Sequence, residues 1–154
     1  MTVSRKRSTL PPLPHGTRTW LAVVRAYNLC ESAMSARLAD IGLRVPEHEV
    51  LASLAAEPGI TQQELAARCF VAKSGVSMLL SQMEAKGWVR RDADERDARL
   101  KRLALTPEGQ TIAARSRKIQ SQVVTAMVAG SSDAELEAVT VAMENVSARL
   151  EAMR

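Results

Sequence analysis

The sequence predicts a mainly α-helical chain carrying one small β-hairpin, and three observations lead there. Aromatic residues make up 3% of the 154 residues, so the core must be built from Leu, Val, Ala and Met, a set that favours helices over sheets. Apolar residues recur at intervals of three and four through most of the chain, the period of an amphipathic helix. Between Trp88 and Leu105 the period shortens to about two on either side of a charged stretch, the pattern of two strands and a solvent-facing tip.

Length and composition set the frame. A chain of 154 residues suits one domain that buries about 70% of its unfolded surface. No apolar run approaches the roughly 20 residues needed to cross a bilayer. The basic start Met1-Thr2-Val3-Ser4-Arg5-Lys6-Arg7 is not followed by an apolar region or a small-residue cleavage site, so a cytoplasmic protein with no membrane contact is expected. Two cysteines, Cys30 and Cys69, form neither a disulfide framework nor a CxxC pair. The net charge of +4 fits an anionic partner without identifying one.

In chain order, residues 1–16 hold Leu10-Pro11-Pro12-Leu13-Pro14 and no periodicity, the mark of a flexible basic arm. Arg5, Lys6, Arg7 and, just beyond, Arg18 would suit DNA phosphates, or equally a solubilising tail. A long helix follows from Thr19 to about Ile41, striped by Trp20, Val24, Tyr27, Met34, Leu38 and Ile41, and ended by Gly42. Pro46 opens a shorter helix with Val50, Leu51 and Leu54 facing inward, and Pro58-Gly59 turns the chain. Ile60 begins a short pairing segment.

Thr61 opens the next helix with a capping box, since Glu64 sits three residues on. After Arg68-Cys69-Phe70-Val71 a second helix runs from about Ala72 to Lys86 and stops at Gly87. Its Val76, Leu79, Leu80 and Met83 share one buried face, while Lys73, Ser74, Ser77 and Ser81 lie on the other. Small donors beside a cation are what a helix needs to approach base edges and phosphate. Helix, turn and polar-faced helix is the sequence form of a helix-turn-helix.

Two strands are expected at 88–91 and 100–105, with residues 92–99 as the tip. From Lys86 to Arg102 there are seven Lys/Arg against four Asp/Glu. An Arg on such a tip can enter a minor groove, and Asp97 could steady the Arg99 guanidinium. The competing reading is a merely solvated tip. Thr106 then caps a helix that begins at Pro107, carries Ile112, Ile119, Val123 and Met127 on one side, and closes at Gly130. Ser132-Asp133-Ala134-Glu135 is a second capping box. Leu136, Val139, Met143, Val146, Leu150 and Met153 stripe the last helix with coiled-coil regularity, which points to a homodimer.

The segment Thr61–Thr106 resembles the winged helix-turn-helix of the MarR family of bacterial transcription regulators. The likeness rests on Thr61-Gln62-Gln63-Glu64-Leu65-Ala66, Lys73-Ser74-Gly75-Val76-Ser77, the run from Met83-Glu84 through Gly87-Trp88-Val89 to Arg91, the wing residues Asp94, Arg96, Asp97 and Arg99, and Leu105-Thr106 with Gly109. With the flanking helices it spans roughly residues 17–152. Three departures stand out. Ala72 lacks the side-chain acceptor of a helix cap, Met78 replaces a common Arg, and Ala98 replaces the first Arg of the usual wing tip.

The resemblance implies a winged helix-turn-helix lobe at 46–106, with its wing at 88–105, and a dimerisation lobe made by 17–42 and 107–154. It implies a homodimeric repressor on a palindromic operator in double-stranded DNA, released by a small aromatic or anionic effector. Lys73, Ser74, Ser77, Ser81, Gln82, Arg90, Arg91, Arg96, Arg99, Lys101 and Arg102 are the candidates for DNA contact. Tyr27, Met34 and His48 fall where an effector cavity is expected, and Arg25 or Arg44 would meet a carboxylate. Tyr27 and Met34 can also be read as ordinary core residues.

A redox trigger at Cys30 or Cys69 is the alternative within the same fold, and a winged helix used only for protein contact is a second. Enzymatic signatures are missing: no GxSxG, P-loop, GxGxxG or HExxH occurs. His15 and His48 are far apart, and Glu47-His48-Glu49 points in three directions on a helix, so neither a metal nor another cofactor is expected.

Overall fold

The computed structural model describes residues 13–69 and 73–153, and for Lys73 and Ser74 the backbone alone. The Ala72 cap position, most of the basic arm, and the Lys73 and Ser74 side chains lie outside the described residues. The order of elements is α1 (Thr17–Ala39), α2 (Val45–Ala56), α3 (Gln62–Arg68), α4 (Lys73–Ala85), β1 (Val89–Ala93), β2 (Lys101–Leu105), α5 (Pro107–Val128) and α6 (Asp133–Glu151).

Local chemistry sets these boundaries. At α3 the Thr61 N–H donates to Glu64 Oε2 at 2.6 Å, and the Glu64 N–H donates to Thr61 Oγ1 at 3.2 Å. Ser132 and Glu135 repeat the box at α6. Helix α4 ends where Gly87 takes φ 73°, so that the Trp88 N–H reaches Met83 O and the Gly87 N–H reaches Glu84 O. That doubly bonded end needs a left-handed residue, which glycine adopts without strain. The first helix begins two residues earlier than its apolar stripe implies, because Gly16 at φ 92° serves as its N-cap.

Strands β1 and β2 pair antiparallel with Val89 opposite Leu105, Arg91 opposite Leu103 and Ala93 opposite Lys101. The ladder runs two residues further into the polar stretch than expected, since Asp92 still faces Arg102. Ile60 and Thr61 add the short pairing segment: the Leu103 N–H donates to Ile60 O, and Thr61 bridges Arg102.

The core is aliphatic. Leu38, Val50, Leu51, Leu54, Leu65, Val76, Leu80, Met83 and Leu103 are essentially closed to solvent. They join the end of α1 to α2, α3, α4 and the hairpin, with Ile112 and Ala113 of α5 completing the lobe. Burial stops outside it. Trp20, Tyr27, Leu29, Met127, Val139 and Leu150 are exposed, and α6 buries none of its residues.

Candidate nucleic-acid interface

The packing of α4 decides what it can present. Val76, Leu79, Leu80 and Met83 turn inward, so Ser77, Met78, Ser81 and Gln82 necessarily face solvent, 100° or more around the helix. Met78, which replaces an Arg common in the resembled family, is an exposed apolar residue amid these polar ones.

Beside α4 stands the wing, and period two sorts its charges. Arg91 leans onto α4: its Nη2 donates to Ser81 Oγ at 3.1 Å, and its Nε pairs with Glu84 Oε2 at 2.9 Å. Nη1 reaches Gln62 of α3 at 3.5 Å. Arg91 therefore buckles the wing to both helices and has little freedom to seek phosphate. Arg90, on the opposite face, pairs with Asp92 at 3.0 Å and borders a cavity of about 430 Å³ with Pro58, Ala113 and Arg117. It is not brought together with the α4 surface. Arg102 is a strap, donating from Nε to Asp94 Oδ2 at 2.6 Å and from Nη1 to Gly59 O at 3.0 Å.

The tip differs from expectation in one respect. Asp97 does not hold the Arg99 guanidinium; its Oδ1 accepts from the Arg99 backbone N–H at 3.0 Å. A short carboxylate satisfies a turn N–H two residues on more readily than it spans to a long side chain. Asp94 does the same for the backbone of Arg96 and Asp97. The Arg102 guanidinium, helped by those two N–H groups, holds the Asp94 carboxyl below the usual carboxylate range. Two acids thus shape the tip while Arg96, Arg99 and Lys101 point into solvent. Among the described residues these three side chains have no hydrogen bond or ion pair.

Sequence reasoning missed the support behind α4. Glu47 is fully buried and accepts from Lys86 Nζ at 2.7 Å, the Arg44 N–H at 2.9 Å and Arg44 Nη2 at 3.2 Å. Burial pushes its carboxyl up, but those donors outweigh it and keep the group ionised below its ordinary value. Lys86 also lies 4.5 Å from the centre of the Trp88 ring.

A second feature lies between α1, α2 and α5. A cleft of about 400 Å³ is lined by Tyr27, Cys30, Glu31, Met34, Val45, His48, Glu49, Arg68 and Val123, among others. Tyr27, Met34 and His48 meet there as expected. Arg25 is not among the lining residues, and Arg44 is committed to Glu47 and to Gln82, whose Oε1 accepts at 2.9 Å. The cation of the cleft is instead Arg68, which also pairs with Glu57. His48 is 5% exposed, and its buried Nδ1 has no hydrogen-bond partner among the described residues. Burial pushes its imidazole below the ordinary value, so it is neutral near pH 7. Cys69 is buried and its thiol is pushed up by that burial. A protonated thiol is a poor nucleophile.

Residues 41–100 match the family model described as MarR family. The matched segment takes in α2, α3, α4 and β1 of this chain. Over 81 residues the chain is 35% identical to the transcriptional regulator HosA of Escherichia coli O157:H7, covering 53% of this chain and 60% of HosA. Its fold is similar to that of Bordetella bronchiseptica BpsR, a structure concerned with regulation of DNA binding by 6-hydroxynicotinic acid, with a TM-score of 0.78 at 18% identity over 89% of this chain and 98% of that one. Streptococcus pneumoniae FabT, solved in complex with DNA, superposes with a TM-score of 0.77 at 20% identity over 90% of this chain and 99% of that one. At such identities the structures speak for the winged-helix fold.

Proposed function

We propose that this chain is a transcription regulator of the MarR family, which binds a palindromic operator in double-stranded DNA as a homodimer, represses from it, and is released by a small effector. One observation carries the DNA reading. Ser77 and Ser81 stand on an uncovered α4 face beside a wing whose Arg96, Arg99 and Lys101 are unpaired among the described residues. Small polar groups next to free cations match a helix lying in a major groove with the wing in the flanking minor groove. A wing used only for protein contact has no need of three unpaired cations, which disfavours that alternative.

Two copies would space the half-sites about one helical turn apart, ~10–10.5 bp. The division into a reading lobe at 46–106 and dimerisation helices at 17–42 and 107–154 follows the same reading. It is supported by α6, a 19-residue helix that buries nothing in one chain. In proteins most helical stability comes from packing an amphipathic face, so a second copy is the economical cover for its stripe. The cleft suits the effector: its lining is mainly apolar, and Arg68, the neutral His48, Glu31 and Glu49 are among its polar groups, a combination fit for a small aromatic molecule. An oxidation trigger has less support, given the protonated Cys69 and a half-buried Cys30 within the same cleft.

A gel shift with DNA from upstream of the chain's own gene, repeated at 50 and 200 mM salt, tests the reading. If a dimer neutralises roughly 6–10 phosphates, affinity falls ~10³–10⁵-fold between those concentrations. A nearly flat salt response would contradict it.

A further inference from the structure

Aliphatic contacts hold a helix against a core without fixing its roll, because they carry no direction. Charge-assisted hydrogen bonds do carry direction. The inner face of α4 is wholly aliphatic among its buried residues, Val76, Leu79, Leu80 and Met83. Arg91 ties Ser81 and Glu84, in the C-terminal half of α4, to the wing, and the directional ties from that end to α2 converge on one buried anion. Glu47 Oε1 accepts from Lys86 Nζ, one residue past α4, and from Arg44 Nη2. The same Arg44 nitrogen donates on to Gln82 Oε1, on the outer face of α4.

The fully closed carboxylate of Glu47 thus grips α4 at two places about one turn apart, 82 and 86. Such a buried ion pair adds little net stability, since the desolvation of its partners offsets the attraction. What it does supply is a fixed angle.

We propose that Glu47 is a positioning residue for DNA reading, which through Lys86 and through Arg44–Gln82 sets the angle at which α4 presents Ser77, Ser81 and Gln82. The proposal rests on α4 being the DNA-reading helix. Arg44 and Lys86 have partly exposed side chains, 60% and 41%, so removing Glu47 leaves both cations in contact with water. An apolar residue of similar volume at 47 should therefore fold.

The test compares the parent with Glu47→Leu, Lys86→Met and the double variant. Each is measured on a duplex footprinted by the parent and on a duplex of unrelated sequence, at several salt concentrations well below the melting temperature. Glu47→Gln, which keeps an acceptor oxygen, serves as the conservative variant.

Loss of the tie is expected to lower affinity for the footprinted duplex about 10-fold or more. Affinity for the unrelated duplex, and the slope of log K against log salt, should stay near parental, because no phosphate contact is lost. The double variant should lose no more than the single ones, as expected of one shared linkage, and Glu47→Gln should recover part of the loss.

Parental discrimination in Glu47→Leu and Lys86→Met would overturn the proposal. So would a slope reduced by about one in Lys86→Met, which would make Lys86 a phosphate contact. If Glu47→Leu does not fold, Lys86→Met and Arg44→Ala decide on the same criteria. A parent that footprints no duplex removes the DNA reading itself, whereas a parent that footprints alongside unaffected variants removes only the role of Glu47.

Discussion

At the scale of single residues, the wing separates charges that look alike in the sequence. Arg91 and Arg102 are committed to structure through Ser81, Glu84, Asp94 and Gly59, while Arg96 and Arg99 have no side-chain partner among the described residues. Arg99→Ala should therefore weaken binding across many DNA sequences and reduce the salt slope by about one, whereas a change at Ser77 should alter preference at one base position. Equal binding by Arg99→Ala and the parent in a salt-series gel shift would refute the wing assignment.

His48 makes a prediction of opposite kind. Its folded pKa lies below the unfolded value of about 6.5, so the unfolded chain takes up the proton first. Stability should be full above that value and fall as pH drops from about 7 through the folded pKa. His48→Phe should flatten this part of a urea-midpoint-against-pH curve. A parental slope in the variant would show that His48 is not its source.

At the scale of elements, the joints matter more than the elements themselves. Gly109, in the first turn of α5, lies so close to Trp88 that an added Cβ would collide with the Trp88 carbonyl oxygen. Gly109→Ala should push α5 off the wing and cost about 1–3 kcal/mol, read as a lower melting temperature of roughly 2–4 °C per kcal/mol. An unchanged melting temperature would mean that the joint yields freely.

The helices and the hairpin were legible because period and caps are local: Thr61 with Glu64, Ser132 with Glu135, and Val76, Leu79, Leu80 and Met83 each declare themselves within a few residues. The tie from α2 to α4 was not. Glu47 and Lys86 are 39 residues apart, and no pattern along the chain shows which carboxylate in Glu47-His48-Glu49 turns inward. The same holds for Arg44, assigned to an effector on the sequence alone but bound to Glu47 and Gln82 once the helices pack.

At the scale of the whole molecule, the contrast between the two ends governs behaviour. The lobe around α2, α3, α4 and the hairpin has a closed aliphatic core, while Trp20, Tyr27, Val139, Leu150 and Met153 remain exposed on the terminal helices. Large exposed apolar residues in series mark a contact surface. With the chain as a dimer, Leu150→Asp together with Val139→Asp should yield monomer in sedimentation velocity. The melting temperature should lose its dependence on protein concentration. Dimer persisting at low micromolar concentration would place the interface elsewhere. Among the described residues no helix is long and apolar enough to cross a membrane.

Local order along the chain was enough to determine the helices, the hairpin, their caps and the buried face of α4, because each depends on neighbours within about one turn or one strand pair. The tertiary structure alone decided which cations are free and which are braces, that Arg68 and not Arg44 serves the cleft, and that a buried Glu47 stands behind α4. Those outcomes depend on which charges meet across elements, and the strength of such a meeting is set by burial and distance, neither of which is written in the order of residues.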